Sequence, residues 1–385
     1  MALLFSPLDL RGIRLKNRIV VSPMHQYAAV NGFPTNWHLI NSGKFAVGGA
    51  GLVMVESTKV ERRGAGTVGD LGIWSDDHAT ALRPLVDVIR SSGAKAGIQI
   101  GHSGRKARMA RPWEGGRPLA ENPGVSDWQD WELVSPSAIG SSKSAPVPRA
   151  LSLSEIAPLV DKWGAAAARA DRAGFDVLEI HAAHGYLIHQ FLSERSNART
   201  DVYGGSIENR MRFAAEVAES VRANWPDDKP LFMRLSCVDD GGWEIEDSVR
   251  LARVLKERGV DVIDCSSGGM ASVAGAEAKR ATKYGYQVPY AERIRADANI
   301  ATMAVGHIVH ADQAEDILKA GRADLVAIGR EMLHNPNWPL DAAHKLGVDS
   351  DFSLAPPAIG YWLGKRATSQ FEGTLSTWQK GLHET

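Results

Sequence analysis

Eight short runs of apolar and β-branched residues recur along the 385-residue chain, and most of them precede a stretch with helical spacing. Their hydrophobicity is nearly continuous rather than alternating, as in strands that are covered on both faces. The runs are 18–23, 51–57, 96–102, 175–183, 230–236, 260–267, 301–307 and 323–330. Strands that alternate with helices form either a closed (β/α)8 TIM barrel or an open doubly wound sheet. The count of eight favours the barrel, and no G-x-G-x-x-G follows the first run, which argues against a Rossmann fold.

The stretches between the runs carry alanine and leucine at helical spacing. The clearest begins at Ser152 or Ser154, either of which is a suitable N-cap, and ends at Gly174, a residue type that commonly closes helices. The predicted helices are 154–174, 207–225, 248–259 and 311–321.

Residues 103–153 follow the third predicted strand and are rich in Pro, Gly, Trp and Ser, with no helical period. Insertions of this length after a barrel strand commonly cover a binding site, so we expect a lid. We predict one domain over residues 1–385, with this lid and with a C-terminal tail at 350–385 that packs on another surface, such as a second subunit.

The charge and cysteine content exclude several classes of partner. Lys and Arg number 44 against 45 Asp and Glu, and no block of like charge is present, which argues against nucleic acid or an anionic membrane surface. Cys237 and Cys265 are the only cysteines, so neither a disulfide framework nor a cysteine-based metal site is expected. No stretch reaches the ~18 apolar residues of a membrane span, and the N-terminal residues lack the pattern of a secretory signal. We expect a cytoplasmic protein.

Polar residues and glycines cluster where the predicted strands end. Because the strand ends of a barrel converge on one face, these residues would share one site. They are Pro23, Met24 and His25 after the first strand, Gln99 and His102 at the third, His181 and His184 after the fourth, Arg234 in the fifth, and Gly329 with Arg330 at the eighth.

Glycines also end the seventh and eighth strands, in AVGHI and AIGRE. Gly306 and Gly329 would let backbone amides approach a phosphate, and Arg330 would add a charged hydrogen bond. The loops after strands seven and eight form the common phosphate site of barrels. The alternative is that the glycines only end strands and that Arg330 caps a surface helix.

Two polar residues lie inside strands that should be buried. Gln99 and Arg234 are costly there unless they are paired. Arg234 could form a buried salt bridge with a carboxylate such as Glu179. Alternatively, both side chains could contact a polar heterocyclic ligand.

The fourth strand ends in EIHAAHGYLIHQF (179–191), which contains His181, His184 and Tyr186. The histidines are three residues apart, so their rings can face the same way. A metal site would need a third ligand, and the strand ends supply no carboxylate cluster, so no metal is expected. A Schiff base is disfavoured because Lys59 and Lys106 lie just past two of the runs rather than within them. The pattern fits a site that holds an oxygen atom and passes a proton.

These residues resemble the old yellow enzyme family of FMN-dependent oxidoreductases over nearly the whole chain. The most specific match is SERSNARTDVYGGSIENRMRF (193–213), which resembles the family signature N-x-R-x-D-x-Y-G-G-S-x-x-N-R-x-R-F. GIQIGHSGRKA (97–107) and RPWEG (111–115) resemble the branch that contains the bacterial xenobiotic reductases. Two departures are His25, where that branch has a cysteine beside the flavin, and Val305, where some relatives have tryptophan.

The resemblance implies roles for individual residues. The FMN-binding residues would be Ser22, Pro23, Met24, His25 and Ser57 around the ring system, Gln99 at its pyrimidine edge, Arg234 at the atoms that become anionic, and Gly306, Gly329 and Arg330 at the phosphate. The catalytic residues would be His181 and His184, which hold a substrate carbonyl oxygen, and Tyr186, which protonates the α-carbon. The substrate-binding residues would be Tyr27, His25 and, from the tail, Trp362.

The resemblance implies a homo-oligomeric enzyme (dimer or tetramer) that takes hydride from NADPH or NADH through FMN and reduces activated C=C bonds of a small molecule. Three alternatives stay open at this point. The first is a related flavin dehydrogenase or demethylase that oxidises a cyclic substrate. The second is a phosphate-sugar isomerase or lyase without flavin, and the third is a flavin-binding redox sensor that does not turn over.

Overall fold

The structure is a computed structural model that describes residues 2–121, 125, 127–270 and 283–368. Its strands are β1 (Leu8–Leu10), β2 (Ile13–Leu15), β3 (Ile19–Val21), β4 (Leu52–Lys59), β5 (Lys95–Gly101), β6 (Val134–Ser135), β7 (Arg149–Ala150), β8 (Val177–Ala182), β9 (Leu231–Ser236), β10 (Val262–Ser266), β11 (Ala301–Ala304) and β12 (Leu325–Ile328). Eight of them form a closed parallel barrel in the order β3, β4, β5, β8, β9, β10, β11, β12. The barrel closes where Val326 of β12 pairs with Ile19 of β3. The predicted (β/α)8 TIM barrel is confirmed.

Helices follow the barrel strands as the spacing predicted. They are α1 (Asn36–Val47), α2 (Asp76–Ser91), α3 (Leu153–Ala173), α4 (Leu187–Leu192), α5 (Ile207–Ala223), α6 (Ile245–Glu257), α7 (Val288–Ala298), α8 (Ala311–Lys319), α9 (Arg330–His334), α10 (Trp338–Lys345) and α11 (Pro357–Ala367). Ser152 is the N-cap of α3, and its backbone N–H donates to Glu155 in a capping box. Gly174 ends the same helix at φ 97°, a conformation that favours glycine.

The inside of the barrel is apolar at one end. Its buried cluster consists of Leu15, Val20, Leu52, Met54, Val177, Phe232, Val262, Met303, Leu325 and Ala327. The β1–β2 hairpin packs Leu8, Leu10 and Ile13 against this cluster. A second, larger cluster lies between the strands and the surrounding helices and includes Ile19, Val53, Trp163 and Phe213. Apolar packing therefore fills the end of the barrel next to the hairpin and leaves the carboxyl ends of the strands for polar side chains.

The insertion after β5 is anchored to neighbouring loops. Trp131 is fully buried and its indole N–H donates to the Ala65 carbonyl at 2.8 Å. Arg111 Nε donates to the Tyr27 carbonyl at 3.0 Å, and the rings of Trp113 and Tyr27 meet at 5.5 Å. The insertion thus reaches the loop after β3, as a lid would, although covering of a substrate stays a prediction.

The predicted tail is described as far as residue 368, and the rest of it lies outside the described residues. Helix α11 carries exposed Ile359, Tyr361 and Trp362. The predicted packing of this tail on a second subunit stays a prediction. Within the described residues, no helix has both the length and the apolar character needed to cross a membrane.

Candidate active site

Four polar side chains are buried inside the barrel near the carboxyl ends of its strands. Gln99 Nε2 donates to Glu179 Oε1 at 2.7 Å. Arg234 Nη1 lies 2.9 Å from Asp264 Oδ2 and donates to Ser22 Oγ at 2.9 Å. Arg234 therefore does form a buried salt bridge, but its partner is Asp264 on the adjacent strand rather than Glu179.

Burial decides the ionisation of the two carboxyl groups. Burial, followed by the neighbouring Asp264 carboxylate, raises the pKa of Glu179 well above its ordinary value. Burial also raises the pKa of Asp264, but the Arg234 guanidinium opposes that rise. We infer that Asp264 carries the negative charge that pairs with Arg234, and that Glu179 holds a proton.

A cavity of about 520 Å³ opens at the ends of β3, β10, β11 and β12. Residues of its wall that the sequence predicted for FMN are Ser22, Pro23, Met24, Arg234, Gly306, Gly329 and Arg330. Gly306 has φ +109°, a conformation that a side chain would strain, so its backbone can approach a ligand closely. Arg330 Nη2 lies 3.2 Å from His307 Nε2 at the same wall. The structure thus brings the predicted phosphate residues together with Arg234 in one cavity.

The chemistry of this cavity fits FMN. Its volume falls within the range of cofactor pockets, roughly 300–1,000 Å³. The buried Nε of Arg234, a residue of the cavity wall, has no hydrogen-bond partner within the described part of the chain, so a donor is available to a ligand there. The predicted FMN residues Ser57 and Gln99 do not line the cavity wall; Ser57 accepts a hydrogen bond from Lys59 and Gln99 bonds Glu179.

Next to this cavity the structure brings His181, His184 and Tyr186 together. The ring centroids of the two histidines are 5.2 Å apart, and those of His181 and Tyr186 are 4.9 Å apart. His184 has φ +58°, which turns the chain sharply at the end of β8. Its Nε2 lies 2.7 Å from the hydroxyl of Ser266, a residue of the cavity wall.

The turn that carries these residues is fixed by buried polar contacts. The His184 backbone N–H donates to Ser236 Oγ at 2.9 Å, and the Gly185 N–H donates to His189 Nδ1 at 2.9 Å. His189 Nε2 lies 3.0 Å from Asp239 Oδ2, and both of these side chains are fully buried. Sequence reasoning did not single out His189 or Asp239, although His189 lies in the same motif at the spacing of one helical turn from Gly185.

Burial keeps all three candidate catalytic groups neutral. It holds the pKa of both His181 and His184 well below the ordinary histidine value, and nearby cations such as Arg234 lower it further. The Ala183 N–H donates to His181 Nδ1 at 3.2 Å, so the ring proton of His181 is on Nε2 and can be donated to a ligand. Burial raises the pKa of Tyr186 above its ordinary value, so its hydroxyl keeps its proton.

His25 is held by a buried carboxylate. Its Nδ1 lies 3.5 Å from Glu56 Oε2, and the other oxygen of Glu56 lies 3.1 Å from His38 Nε2. Burial raises the pKa of Glu56, but the two imidazoles and the Gln26 N–H outweigh it and bring the pKa down to about 2. The His25 ring stacks on Tyr27 at 5.2 Å and meets Tyr186 edge-on at 6.3 Å. The predicted flavin and substrate residue His25 is thus placed beside Tyr186.

The remaining predicted residues have different surroundings. Trp362 is 70% exposed and its ring meets Tyr361 at 5.2 Å, so one copy of the chain does not bury it in the site. Val305, a departure from some relatives, lines the cavity. Lys59, which the sequence placed just after the second strand, is the last residue of β4 and is fully buried. The role of Trp362 in substrate binding stays a prediction.

Residues 3–348 match the NADH:flavin oxidoreductase / NADH oxidase family. The chain belongs to this family. It is similar to the NADPH dehydrogenase of Geobacillus sp. strain WCH70, with 46% identity over 356 residues that cover 91% of this chain and 97% of that protein. It is similar in structure to morphinone reductase in complex with tetrahydroNAD (TM-score 0.73, 28% identity, 90% of this chain and 91% of that chain). It is also similar to the old yellow enzyme homologue from Zymomonas mobilis (TM-score 0.71, 26% identity, 93% of this chain and 98% of that chain).

Membership confirms the resemblance to the old yellow enzyme family and makes the protein an oxidoreductase that uses FMN with NADH or NADPH. It contradicts the alternative of an isomerase or lyase without flavin. The narrower assignment to the xenobiotic-reductase branch stays a prediction. Among the described residues, no group of three or more His, Cys, Asp or Glu side chains is placed to hold a metal ion.

Proposed function

We propose that this flavin oxidoreductase reduces the activated C=C bond of α,β-unsaturated carbonyl compounds. The observation that carries the proposal is the cluster of two neutral imidazoles and one protonated phenol, with ring centroids about 5 Å apart, beside the cavity that fits FMN. The motifs at 97–107 and 111–115, which resemble the branch that contains the bacterial xenobiotic reductases, also support the proposal.

FMN would be held by the cavity wall, with its phosphate at Gly306, Gly329 and Arg330 and its ring system towards Arg234. When bound and reduced, it would supply the hydride that the β-carbon of the substrate receives. NADPH is the proposed reductant because the Geobacillus protein, 46% identical, is named an NADPH dehydrogenase.

His181 and His184 would donate hydrogen bonds to the carbonyl oxygen of the substrate. Negative charge develops on that oxygen during the reaction, and each preorganised donor of this kind commonly contributes a factor of about 10²–10³ in rate. Because both rings are neutral, each has one N–H to donate and no positive charge to attract an anion in the ground state.

Tyr186 would transfer its hydroxyl proton to the α-carbon. Its ring lies 4.9 Å from that of His181, so a carbonyl held by the histidines would place its α-carbon near this hydroxyl. His25 and Tyr27 would form the adjacent wall of the substrate site, with Trp113 of the insertion behind Tyr27.

Anaerobic rapid mixing would test the proposal. The enzyme is first reduced with NADPH and then mixed with 2-cyclohexenone, while the flavin absorbance is followed. We expect Tyr186→Phe to slow reoxidation by the enone by about 10²-fold or more and to leave reduction by NADPH nearly unchanged. The matched control is Tyr203→Phe, because Tyr203 is a buried tyrosine whose hydroxyl bonds Glu216 outside the site.

The result also separates the remaining alternatives. A wild-type enzyme that is reduced by NADPH but never reoxidised by enones, and that instead oxidises a saturated ring compound, would replace this proposal with the dehydrogenase or demethylase. A flavoprotein that turns over neither class of compound would be the redox sensor. The exposed apolar side chains of α11 favour a homo-oligomer, and light scattering of the purified protein would show a dimer or tetramer.

A further inference from the structure

A buried lysine lies beside Tyr186. Lys59 ends strand β4, and its side chain is 0% exposed. Its Nζ donates to Ser57 Oγ at 3.0 Å and lies 3.5 Å from Asp70 Oδ2. A buried ammonium group is costly unless it is paired, so these two contacts fix its position.

Its carboxylate partner is itself held in place. Asp70 accepts hydrogen bonds from the Gly66 N–H at 2.8 Å and from the Thr67 hydroxyl at 2.7 Å. Burial lowers the pKa of Lys59, while the carboxylates of Asp70 and Glu56 oppose that change and favour the ammonium form. The charge therefore stays at one defined point under the barrel mouth.

The ammonium group of Lys59 faces the Tyr186 ring, with Nζ 5.3 Å from the ring centroid. A second lysine, Lys106, lies 5.9 Å from the same centroid and donates to the His184 carbonyl at 2.8 Å. The titratable and charged groups around Tyr186 are Lys59, Lys106, Asp70, Tyr27, His25 and His181.

When Tyr186 gives up its proton it becomes a buried phenolate, and a nearby cation would stabilise that negative charge. Burial, followed by Tyr27 and Asp70, raises the pKa of the Tyr186 phenol, so its phenolate is disfavoured where it lies. With the 5.3 Å from Lys59 Nζ to the ring centroid taken as the separation and an effective dielectric constant of about 20, a unit positive charge lowers the pKa of the phenol by about 2.

We propose that Lys59 is a positioning residue for Tyr186, and that its ammonium group, anchored by Asp70 and Ser57, stabilises the phenolate that Tyr186 leaves when it gives up its proton. The O–H bond of Tyr186 breaks as the α-carbon gains its C–H bond, and a solvent proton restores the phenol afterwards. This inference rests on the proposed function for its place in turnover, but the electrostatic link between the two side chains is measurable without any substrate.

The direct test is ¹⁹F NMR of the FMN-loaded enzyme labelled with 3-fluorotyrosine, whose lower phenol pKa brings the titration into an accessible range. The Tyr186 resonance is assigned by its loss in Tyr186→Phe. We expect Lys59→Met to raise the titration midpoint of Tyr186 by about 2 pH units, and Lys59→Arg to keep it near the wild-type value. A midpoint that stays within about 0.5 pH unit in Lys59→Met would overturn the proposal.

The control is Lys229→Met. Lys229 also lies over an aromatic ring, 5.1 Å from that of Trp225, and bonds Asp171 at 2.7 Å, but it is at the other end of the barrel, next to β9. It should leave the Tyr186 midpoint unchanged. Lys59→Met could fail to bind FMN or to give the circular dichroism spectrum of the folded protein. In that case Lys59→Gln is the second neutral variant, because it keeps a polar contact for Asp70, and the same titration midpoint is measured.

Kinetics separates an electrostatic role from a structural one. Reoxidation of the reduced enzyme by 2-cyclohexenone needs a proton on carbon, whereas reoxidation by ferricyanide needs only electrons. We expect Lys59→Met to slow the first about tenfold or more and to change the second less than about twofold. Lys59 would not act through Tyr186 if Lys59→Met slowed reoxidation equally with both oxidants. The same conclusion would follow if Lys59→Met slowed reoxidation by 2-cyclohexenone as much in the Tyr186→Phe variant as in the wild-type enzyme. If the wild-type enzyme does not reduce enones, the proposed function is wrong. The titration midpoints of Tyr186 measured by ¹⁹F NMR still decide the role of Lys59.

Discussion

Replacing Arg234 with methionine should destabilise the protein in a strongly pH-dependent way. Arg234 Nη1 lies 2.9 Å from both Asp264 Oδ2 and Ser22 Oγ, and the Asp264 side chain is 0% exposed. Methionine fills much of the space of the arginine stem but removes the charge. The pKa of Asp264, which burial already raises, then loses the guanidinium that opposes the rise. The folded variant must either keep an unpaired buried carboxylate or hold a proton on Asp264.

The size of the effect follows from proton linkage. A carboxyl group whose pKa is higher in the folded than in the unfolded state binds one extra proton when folded. The free energy of unfolding therefore falls by about 1.4 kcal/mol for each pH unit between the unfolded pKa, about 4, and the raised folded value. The loss grows until the pH passes the raised folded pKa, and we expect it to reach roughly the 3–5 kcal/mol usually lost when one partner of a buried ion pair is removed.

Urea unfolding of FMN-stripped protein between pH 4.5 and 7.5 measures this loss. The matched control is the double variant Arg234→Met/Asp264→Asn, which has neither charge. Burial, the largest cause of the raised pKa of Glu179, is the same in both proteins, so most of the Glu179 contribution cancels from their difference. We expect the single variant to be the less stable one at pH 7 and to approach the double variant as the pH falls to 4.5. A difference between them that does not change with pH would refute the linkage argument.

Three further predictions concern the cofactor, the acid stability and the active-site turn. Arg330→Ala should weaken FMN binding by about tenfold or more, seen as released flavin fluorescence, because it removes the charged side chain of the phosphate wall. Glu56 has a pKa of about 2 in the folded protein against roughly 4.5 ordinarily, so the stability that it contributes is complete above pH 4.5 and is lost as the pH falls towards 2. Glu56→Gln should therefore flatten the dependence of stability on pH in this range, measured by circular dichroism. An unchanged dependence would contradict the contacts with His25. His189→Phe should lower the free energy of unfolding by about 3 kcal/mol and also slow enone reduction, because it removes the acceptor of the Gly185 N–H and the partner of the buried Asp239 Oδ2; urea unfolding at wild-type stability would exclude this.

The strands could be predicted from the sequence because a parallel barrel buries both faces of each strand. Each of the eight predicted runs overlaps one barrel strand, and the ends differ by at most three residues. The helix N-cap at Ser152 and the closing Gly174 were equally accessible, since both depend on contacts within a few residues of the chain. Local patterns of hydrophobicity and capping were sufficient for these elements.

The partner of Arg234 could not be predicted in the same way. Both Glu179 and Asp264 lie on strands next to β9, so each was a plausible neighbour. The register places Asp264 directly opposite Arg234, whereas Glu179 pairs with Phe232. Register between parallel strands depends on how the whole barrel closes, and no local pattern in either strand encodes it.

The burial of Lys59 within a strand could not be predicted, for a related reason. The second run was taken to end at Ser57, whereas β4 continues to Lys59. A break in register between Val55 and Thr58 accompanies this extension, and such bulges re-aim side chains without a clear signature in sequence. The result is a fully buried lysine at a position that hydrophobicity assigned to a loop.

Burial determines the protonation state of the titratable groups at the mouth of the barrel. It moves each isolated titratable group towards its neutral form, so His181 loses a proton while Tyr186 and Glu179 keep theirs. Charge persists where an oppositely charged partner is within about 3–4 Å, as for Arg234 with Asp264. A set of neutral donors with nearby paired cations favours a ligand oxygen that becomes negative during the reaction over one that is already an anion. This is the reason to expect that neutral carbonyl compounds, rather than carboxylates, are the substrates of this site.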